Sequence, residues 1–331
     1  MNSVDYLIKR IKENKFLIIG RIGIDIYPDP PGTKTESTEY FISHLGGSSA
    51  NIAVAITKLG GNCKILTSIS DDALGSLSIK HLNNYGVDTS LVKSIKGEAR
   101  ISLAVVETTI KDHQSIIYRN GAADLFMEKN DIDKVKFDEF SILIFTGTTL
   151  ASEPSRSAMF YAIEIAKKFN IPIIFDIDYR PYTWKSSEEA SEIYLYAAKF
   201  CNVIIGNDDE FGILANDYSK GIKIAKELNN KSKIIIYKRG KKGSLTLNND
   251  LEIKKGIFNV EALKPTGAGD AFMGGFIGGL LNGNSLDFSI ELGSAAAAIV
   301  VTKVGCAPAM ANMNEIEDFI KINKISNYVE N

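Results

Sequence analysis

Two glycine-rich stretches hold residues whose types and spacing could do chemistry. In KPTGAGDAF, residues 264–272, two glycines flank an alanine and are followed by a carboxylate and an apolar run. A loop of this kind running into a helix presents the backbone N–H groups of Gly267, Ala268 and Gly269 at the positive end of the helix dipole, which is an anion site. The helix is expected to begin near Gly269 and to stop at the Asn-Gly pair near 282, so Asp270 falls in its first turn. A carboxylate there can take a proton from a substrate hydroxyl, and it is equally an ordinary helix-start acid. The second stretch, HLGGSSANIAVAI at 44–56, repeats the pattern, with Gly46 and Gly47 in the loop and Asn51 where the next helix starts. Singly, each is a common turn, because a short glycine motif depends on its context. Two other nucleotide signatures are excluded. The sequence has no GxxxxGK[ST], and its first strand contains GRIGID rather than leading into GxGxxG, so neither a P-loop nor a dinucleotide-binding dehydrogenase is indicated.

The elements that must position these loops read as α/β. KFLIIGRIGIDIYP, 15–28, reads as one buried strand ending at a proline-rich turn. SANIAVAITKLGG has helical spacing and a Gly-Gly stop, CKILTSIS is a strand, and DDALGSLSIKHLNNYG is a helix opened by acids. From residue 141 the strands SILIFTG, PIIFDIDYR, CNVIIGN and SKIIIYKRG alternate with helical segments. Near-continuous apolar strands between helices indicate a parallel sheet covered on both faces. ARISLAVVETT and HQSIIYRN alternate in polarity and are separated by IKD, which suggests a hairpin. Segments near 26–44 and 99–119 therefore form a small β-layer beside the main sheet, and residues 1–331 are expected to form one domain. In the helix after Asp270, Gly274, Gly275, Gly278 and Gly279 are expected to let it pack close to the sheet.

Composition narrows the partners. The 331 residues are 45% hydrophobic and 24% charged, enough for a large core. A net charge of −2 gives no basic field for nucleic acid. Cys63, Cys201 and Cys306 are odd in number and lack CxxC spacing, so buried thiols are expected rather than zinc or disulfides. The first residues lack the apolar core of a signal peptide, and no apolar run approaches the roughly 18 residues of a membrane span, so the cytoplasm is the expected compartment.

Together the glycine stretches say more than either alone. GG-x-x-AN followed by TGAGD resembles the paired signatures of the ribokinase-like (pfkB-type) carbohydrate kinases. The resemblance covers essentially the whole chain: an early strand with Asp25, the lid segments, NDDE at 207–210 and the KRGKKGS turn at 238–244. It implies a three-layer α/β/α fold around a mostly parallel sheet with a small β-sheet lid, and phosphoryl transfer from ATP with Mg2+. By this resemblance Asp270 is the general base toward a sugar hydroxyl, and Gly267, Ala268 and Gly269 are the anion hole. Asp25, Gly46, Gly47 and Asn51 would line the sugar pocket, although Asp25 could also be a strand-end cap. Asn207 and Glu210 match the motif that organises Mg2+ through water, and Glu210 is equally a first-turn helix acid. Lys238, Gly240 and Gly243 match the turn below the nucleotide, with Thr266, Ser294, Ala297 and Gly305 also on the nucleotide side. The family often has an aspartate where this chain has Lys264, near its monovalent-cation site, which leaves K+ open. Family members often dimerise through their lids, so a homodimer is expected here.

Two arginines speak to the sugar. Arg180 ends a strand in DIDYRPYTW, and ligands of open α/β sheets bind beyond the carboxyl ends of strands. Arg119, in YRNGAADLF, follows a lid strand. Two guanidinium groups converging on one pocket suit a substrate carboxylate, and so a sugar acid rather than a neutral sugar. With GRIGIDIYP, these strings resemble the kinases of 5-dehydro-2-deoxygluconate in inositol catabolism. The kinases of 2-keto-3-deoxygluconate carry a looser version, and a fructokinase- or ribokinase-type enzyme or a non-catalytic sugar-binding module are the further alternatives. Tyr182 and Trp184 could be contacts or core aromatics.

Overall fold

The computed structural model describes residues 3–230 and 233–330. Among them the strands are β1 (Phe16–Ile19), β2 (Gly23–Pro28), β3 (Phe41–Gly46), β4 (Cys63–Ser70), β5 (Asp88–Ile95), β6 (Ser102–Val106), β7 (Ser115–Tyr118), β8 (Ile142–Thr146), β9 (Ile173–Asp176), β10 (Val203–Asn207), β11 (Ile234–Lys238), β12 (Ser244–Asn248) and β13 (Leu251–Lys255). Nine of them make the main sheet in the order β13-β12-β11-β10-β9-β8-β1-β4-β5. It is parallel from β11 to β5, with β12 and β13 as an antiparallel edge.

The near-continuous apolar strands follow from two covered faces. Phe16, Ile18, Ile142 and Ile144 enter one core cluster, and Leu17, Ile19, Leu143 and Phe145 enter the other. Successive side chains point to opposite faces, so both sets must be apolar. Helices Ser48–Lys58, Ala268–Leu281 and Leu286–Val301 cover the first face, and Ser155–Lys168 and Ser187–Ala198 the second. No helix among the described residues is long and apolar enough to cross a membrane. All three cysteines are buried and unpaired, as expected.

The remaining strands form the lid, in the order β3-β2-β6-β7. This corrects the reading of 15–28 as one strand: β1 lies in the main sheet and β2 in the lid. The chain changes sheets at Gly20, where a side chain would collide with Ser49. Apolar pattern alone cannot reveal the change, because both halves are buried. The β6–β7 hairpin is present, but its connection runs from 107 to 114 rather than over Ile-Lys-Asp alone. Glu107 ties that loop to the β2–β3 connection, accepting from Lys34 Nζ at 3.0 Å and from the Thr35 amide at 2.9 Å.

The glycine-rich helix Ala268–Leu281 also differs from expectation. Its glycines face neighbouring helices, not the sheet. Gly274 and Gly278 lie against Ala55 and Leu59, while Gly275 and Gly279 lie against Leu292 and Ser289. Two glycine pairs at i, i+4 spacing thus give the helix two close-packing edges.

Candidate active site

The two glycine loops, far apart in sequence, meet in space. The helix starts at Ala268 with Gly267 as its N-cap, one residue earlier than the sequence suggests. Gly267 has φ +84°, a left-handed conformation that costs other residues strain, and a Cβ there would press on Cys306 Sγ. Residues Ala268, Gly269 and Asp270 form the first turn, whose amides have no partner within the helix. Asp270 Oδ2 accepts from Asn51 Nδ2 at 2.8 Å. Burial and the nearby charge of Asp178 lift the Asp270 carboxyl to about 7, against the pull of Asn51, Arg180 and Lys238.

Asp270 opens onto a cleft between the lid and the main sheet, also lined by Arg21, Asp25, Asn51, Arg180 and Cys306. Gly47, Thr266 and Gly267 complete its floor. Asp25, on β2, is buried and accepts from Tyr27 Oη at 3.3 Å. Burial raises its carboxyl, with Arg21 pulling it back down. Gly46 is needed because a Cβ there would collide with the Asp25 carboxylate. A wider depression over helix Ser155–Lys168 contains none of the sequence-predicted residues.

The other candidates fall around this cleft. Lys238 ends β11 with Nζ 3.2 Å from where a Cβ on Gly269 would lie, so its ammonium adjoins the open helix turn. Gly240 and Gly243 flank the tight turn that follows, both with positive φ. Asn207 and Glu210 form a reciprocal cap: Glu210 accepts from the Asn207 amide at 2.7 Å and donates its own amide to Asn207 Oδ1 at 2.8 Å. The helix-cap role of Glu210 is therefore real, and its remaining oxygen is what a ligand could use. Burial raises the Glu210 carboxyl despite Lys238 and the Asn207 amide. Ser294 and Ala297 lie in helix Leu286–Val301, outside the cleft that holds Asp270. Gly305 sits against His44 of β3, on the lid side rather than with those two.

Arg180 reaches the cleft, paired with Asp178 at 2.6 Å. Arg119 is not among the residues lining it. It is buried, paired with Asp124, and donates to the Thr148 carbonyl at 3.0 Å. Trp184 is a core aromatic, edge-on to Tyr194 at 5.0 Å, while Tyr182 is 56% exposed. Lys264 is fully buried and donates to the carbonyls of Thr266 at 2.8 Å and Val300 at 3.2 Å.

The pfkB family carbohydrate kinase model matches residues 13–313. The chain belongs to the pfkB family of carbohydrate kinases. A 5-dehydro-2-deoxygluconokinase of Geobacillus thermodenitrificans is 36% identical over 322 residues, covering 96% of each chain. One of Clostridium tetani is 36% identical over 318 residues, covering 92% of each. Among solved structures, a putative ribokinase II of E. coli in its apo form superposes with a TM-score of 0.83 at 22% identity, covering 93% of this chain and 99% of that one. A Vibrio cholerae fructokinase with fructose, ADP and potassium bound gives 0.80 at 22%, covering 93% and 98%. These structures establish the ribokinase-like fold of this kinase.

Sequence reasoning missed several residues in and around the kinase's cleft. Asp176 and Asp178 stand in the quoted DIDYR string but were not singled out. Both follow or end β9 at its carboxyl end, the side where such sheets bind ligands. Asp178, at φ +39°, accepts from Ser48 Oγ at 2.5 Å. Burial pushes its carboxyl up, but Arg180, Arg21 and Ser48 outweigh that and leave it below its usual value. Asp176 goes the other way: burial, with the charges of Glu210, Asp178 and Asp270, lifts it well above the usual range against Lys238. Arg21 was hidden inside what read as one strand. Cys306 carried no local signal.

Proposed function

We propose that this kinase transfers the γ-phosphoryl group of ATP to the terminal hydroxyl of 5-dehydro-2-deoxy-D-gluconate, with the whole chain acting as one kinase domain under its lid. The observation that carries the reading is Asp270, a carboxylate poised near neutrality in the first turn of an open helix, facing Arg180 across one cleft. The names of the curated relatives support the choice of sugar acid. In the step, Asp270 accepts the proton of the attacking hydroxyl, the new O–P bond forms, and the bond from Pγ to the β–γ bridging oxygen breaks to release ADP. The amides of Gly267, Ala268 and Gly269 and the Lys238 ammonium take up charge on the transferred group. Asp25 and Asn51 hold sugar hydroxyls, and Ser294, Ala297, Gly240 and Gly243 shelter the nucleotide.

Mg2+ fits these residues. Among the described residues no cluster of three or more side chains could hold a metal, but Asp176 and Glu210 crowd like charge beside Lys238. A cation carried on ATP phosphates and touching such carboxylates through water relieves that crowding. The site beneath the anion hole offers no such case for K+, because the Lys264 ammonium already occupies the carbonyls of Thr266 and Val300.

The test is ADP release with Mg-ATP against 5-dehydro-2-deoxygluconate, 2-keto-3-deoxygluconate, fructose and ribose. Selective turnover of the first supports the reading. Preference for 2-keto-3-deoxygluconate would move the substrate within the sugar acids. Preference for a neutral sugar would overturn it.

A further inference from the structure

The cleft holds one arginine that neither the sequence motifs nor the family match assigns. Arg21 lies where β1 leaves the main sheet for the lid. It is 5% exposed, and its guanidinium lines the cleft. Nη1 donates to Ser102 Oγ at 3.0 Å, and that hydroxyl in turn donates to the Ile22 carbonyl at 3.3 Å. The side chain lies over Gly23, where a Cβ would come within 3.3 Å of Nη1. Arg21 is therefore held in place by its own strand junction.

Its charge is what lacks a contact partner. Arg119 is paired with Asp124 and Arg180 with Asp178. Among the described residues Arg21 has no carboxylate within the 4.0 Å of an ion pair, and its buried Nε has no hydrogen-bond partner. A buried guanidinium beside a polar cleft, balanced only at a distance by Asp25 and Asp178, can take an anion in direct contact, which offsets more of the cost of desolvating it. Its field is already felt there: with Arg180 and Arg119 it helps hold the Asp178 carboxyl down.

Position selects the anion. Lys238, beside the phosphoryl end, ends β11, and Arg21 follows β1, four strands away in the sheet order. At the spacing of sheet strands their backbones are about 19 Å apart, so the two cations approach the cleft from opposite ends. A hydroxyl presented to Asp270 places the other end of a six-carbon acid toward the lid junction.

We infer that Arg21, together with Arg180, receives the carboxylate of the sugar acid, and that Arg21 is a specificity residue of this kinase. This rests on the sugar-acid reading above and names the group that enforces it. A planar guanidinium fixed by Ser102 binds a carboxylate in a defined orientation, which lysine cannot reproduce.

The test compares wild type, Arg21→Met and Arg21→Lys on two substrates: 5-dehydro-2-deoxygluconate and its neutral analogue with a hydroxymethyl group in place of the carboxylate. For the acid, Arg21→Met is expected to raise KM about 30-fold, the loss of one charge-assisted contact, with Arg21→Lys intermediate. For the neutral analogue, and for ATP, KM stays within about threefold of wild type, a split that a purely structural role would not produce. Equal losses on acid and analogue overturn the inference, as does an unchanged KM for the acid. A wild type that prefers the neutral compound overturns the sugar-acid reading itself, and is seen before any variant is made. Ser102→Ala, which frees the guanidinium without deleting it, is expected to raise the acid KM less than Arg21→Met. If it matches Arg21→Met on both substrates, the effect is one of folding and the inference fails.

Discussion

In the proposed reaction Asp270 is the base, and the residues around its half-buried carboxylate set how strong a base it is. Burial lifts it to about 7, and the Asn51 amide is the contact that favours the charged form most directly. The acid limb of kcat/KM against pH is therefore expected near 7, and Asn51→Leu should move it upward by about half a unit to one unit. A limb that stays in place would detach it from Asp270. Asp270→Asn is expected to lower kcat by about 10²- to 10⁴-fold while leaving ATP binding intact. The same substitution makes a stability prediction. A carboxyl that titrates at about 7 when folded and at its ordinary 3.8 when unfolded binds more protons in the folded state between those values. Its charge thus opposes folding increasingly as pH rises from about 4 to about 7. The Tm of Asp270→Asn should exceed that of wild type at about pH 8, with the gap closing by about pH 4. A constant gap would mean that a contact was changed rather than a titration removed. Lys264 carries the other residue-scale prediction. Its ammonium sits on two carbonyls at the base of the proposed anion hole, so a second cation beside it would be repelled. Turnover in tetramethylammonium buffer is expected to match that in K+ buffer, and strong activation by K+ would overturn this.

Among the elements, the helix Ala268–Leu281 joins the proposed catalytic turn to packing, and its glycines separate the two. Gly275→Ala would press a methyl on the Leu292 carbonyl at 2.7 Å and on Gly293 Cα at 2.9 Å, backbone atoms with little room to move. It is expected to cost about 1–3 kcal/mol in chemical denaturation and to leave kcat nearly unchanged. Gly269→Ala meets only the end of the Lys238 side chain at 3.2 Å, so its stability should hold while kcat falls, because that ammonium must shift from the phosphoryl side. The reverse pattern would show that the two positions have exchanged roles. This helix also marks the limit of what the sequence reveals. Its start, its apolar run and Asp270 in the first turn were legible, because capping and glycine chemistry are local. Which neighbour each glycine touches was not, because i, i+4 spacing marks an edge of a helix and does not say what packs there. The same holds for Arg21. A buried run of alternating or continuous apolar residues looks alike in one strand or two, so the switch of sheets at Gly20 was invisible, and with it the arginine exposed there to the cleft. The partners of Arg119 were likewise out of reach, since Asp124 is local but the Thr148 carbonyl arrives from the turn that follows β8.

On the scale of the whole molecule, the lid has two faces and only one is used by the cleft. Ala104 and Ile117 are register partners on β6 and β7, and both line the cleft. Alternation sends Ile116 and Tyr118 to the opposite face, where they are 46% and 58% exposed. Strand β7 is also the edge of the lid sheet, with an unpaired row of backbone groups. An apolar face beside a free edge is unstable in isolation unless something covers it. We propose that a second copy does, lid against lid, which would also hold the lid sheet over the cleft of each subunit. Light scattering after size exclusion is then expected to give about twice the 36.2 kDa of one chain. Replacing both Ile116 and Tyr118 by lysine puts like charges on the face and edge of β7 and should return the protein to one chain. Because Ile117 and Ala104 are untouched, the monomer should keep its nucleotide affinity, and its KM for the sugar should rise to the extent that the lid loosens. A wild type that runs as one chain at micromolar concentration, or a double variant that stays paired, would place the subunit contact elsewhere or remove it.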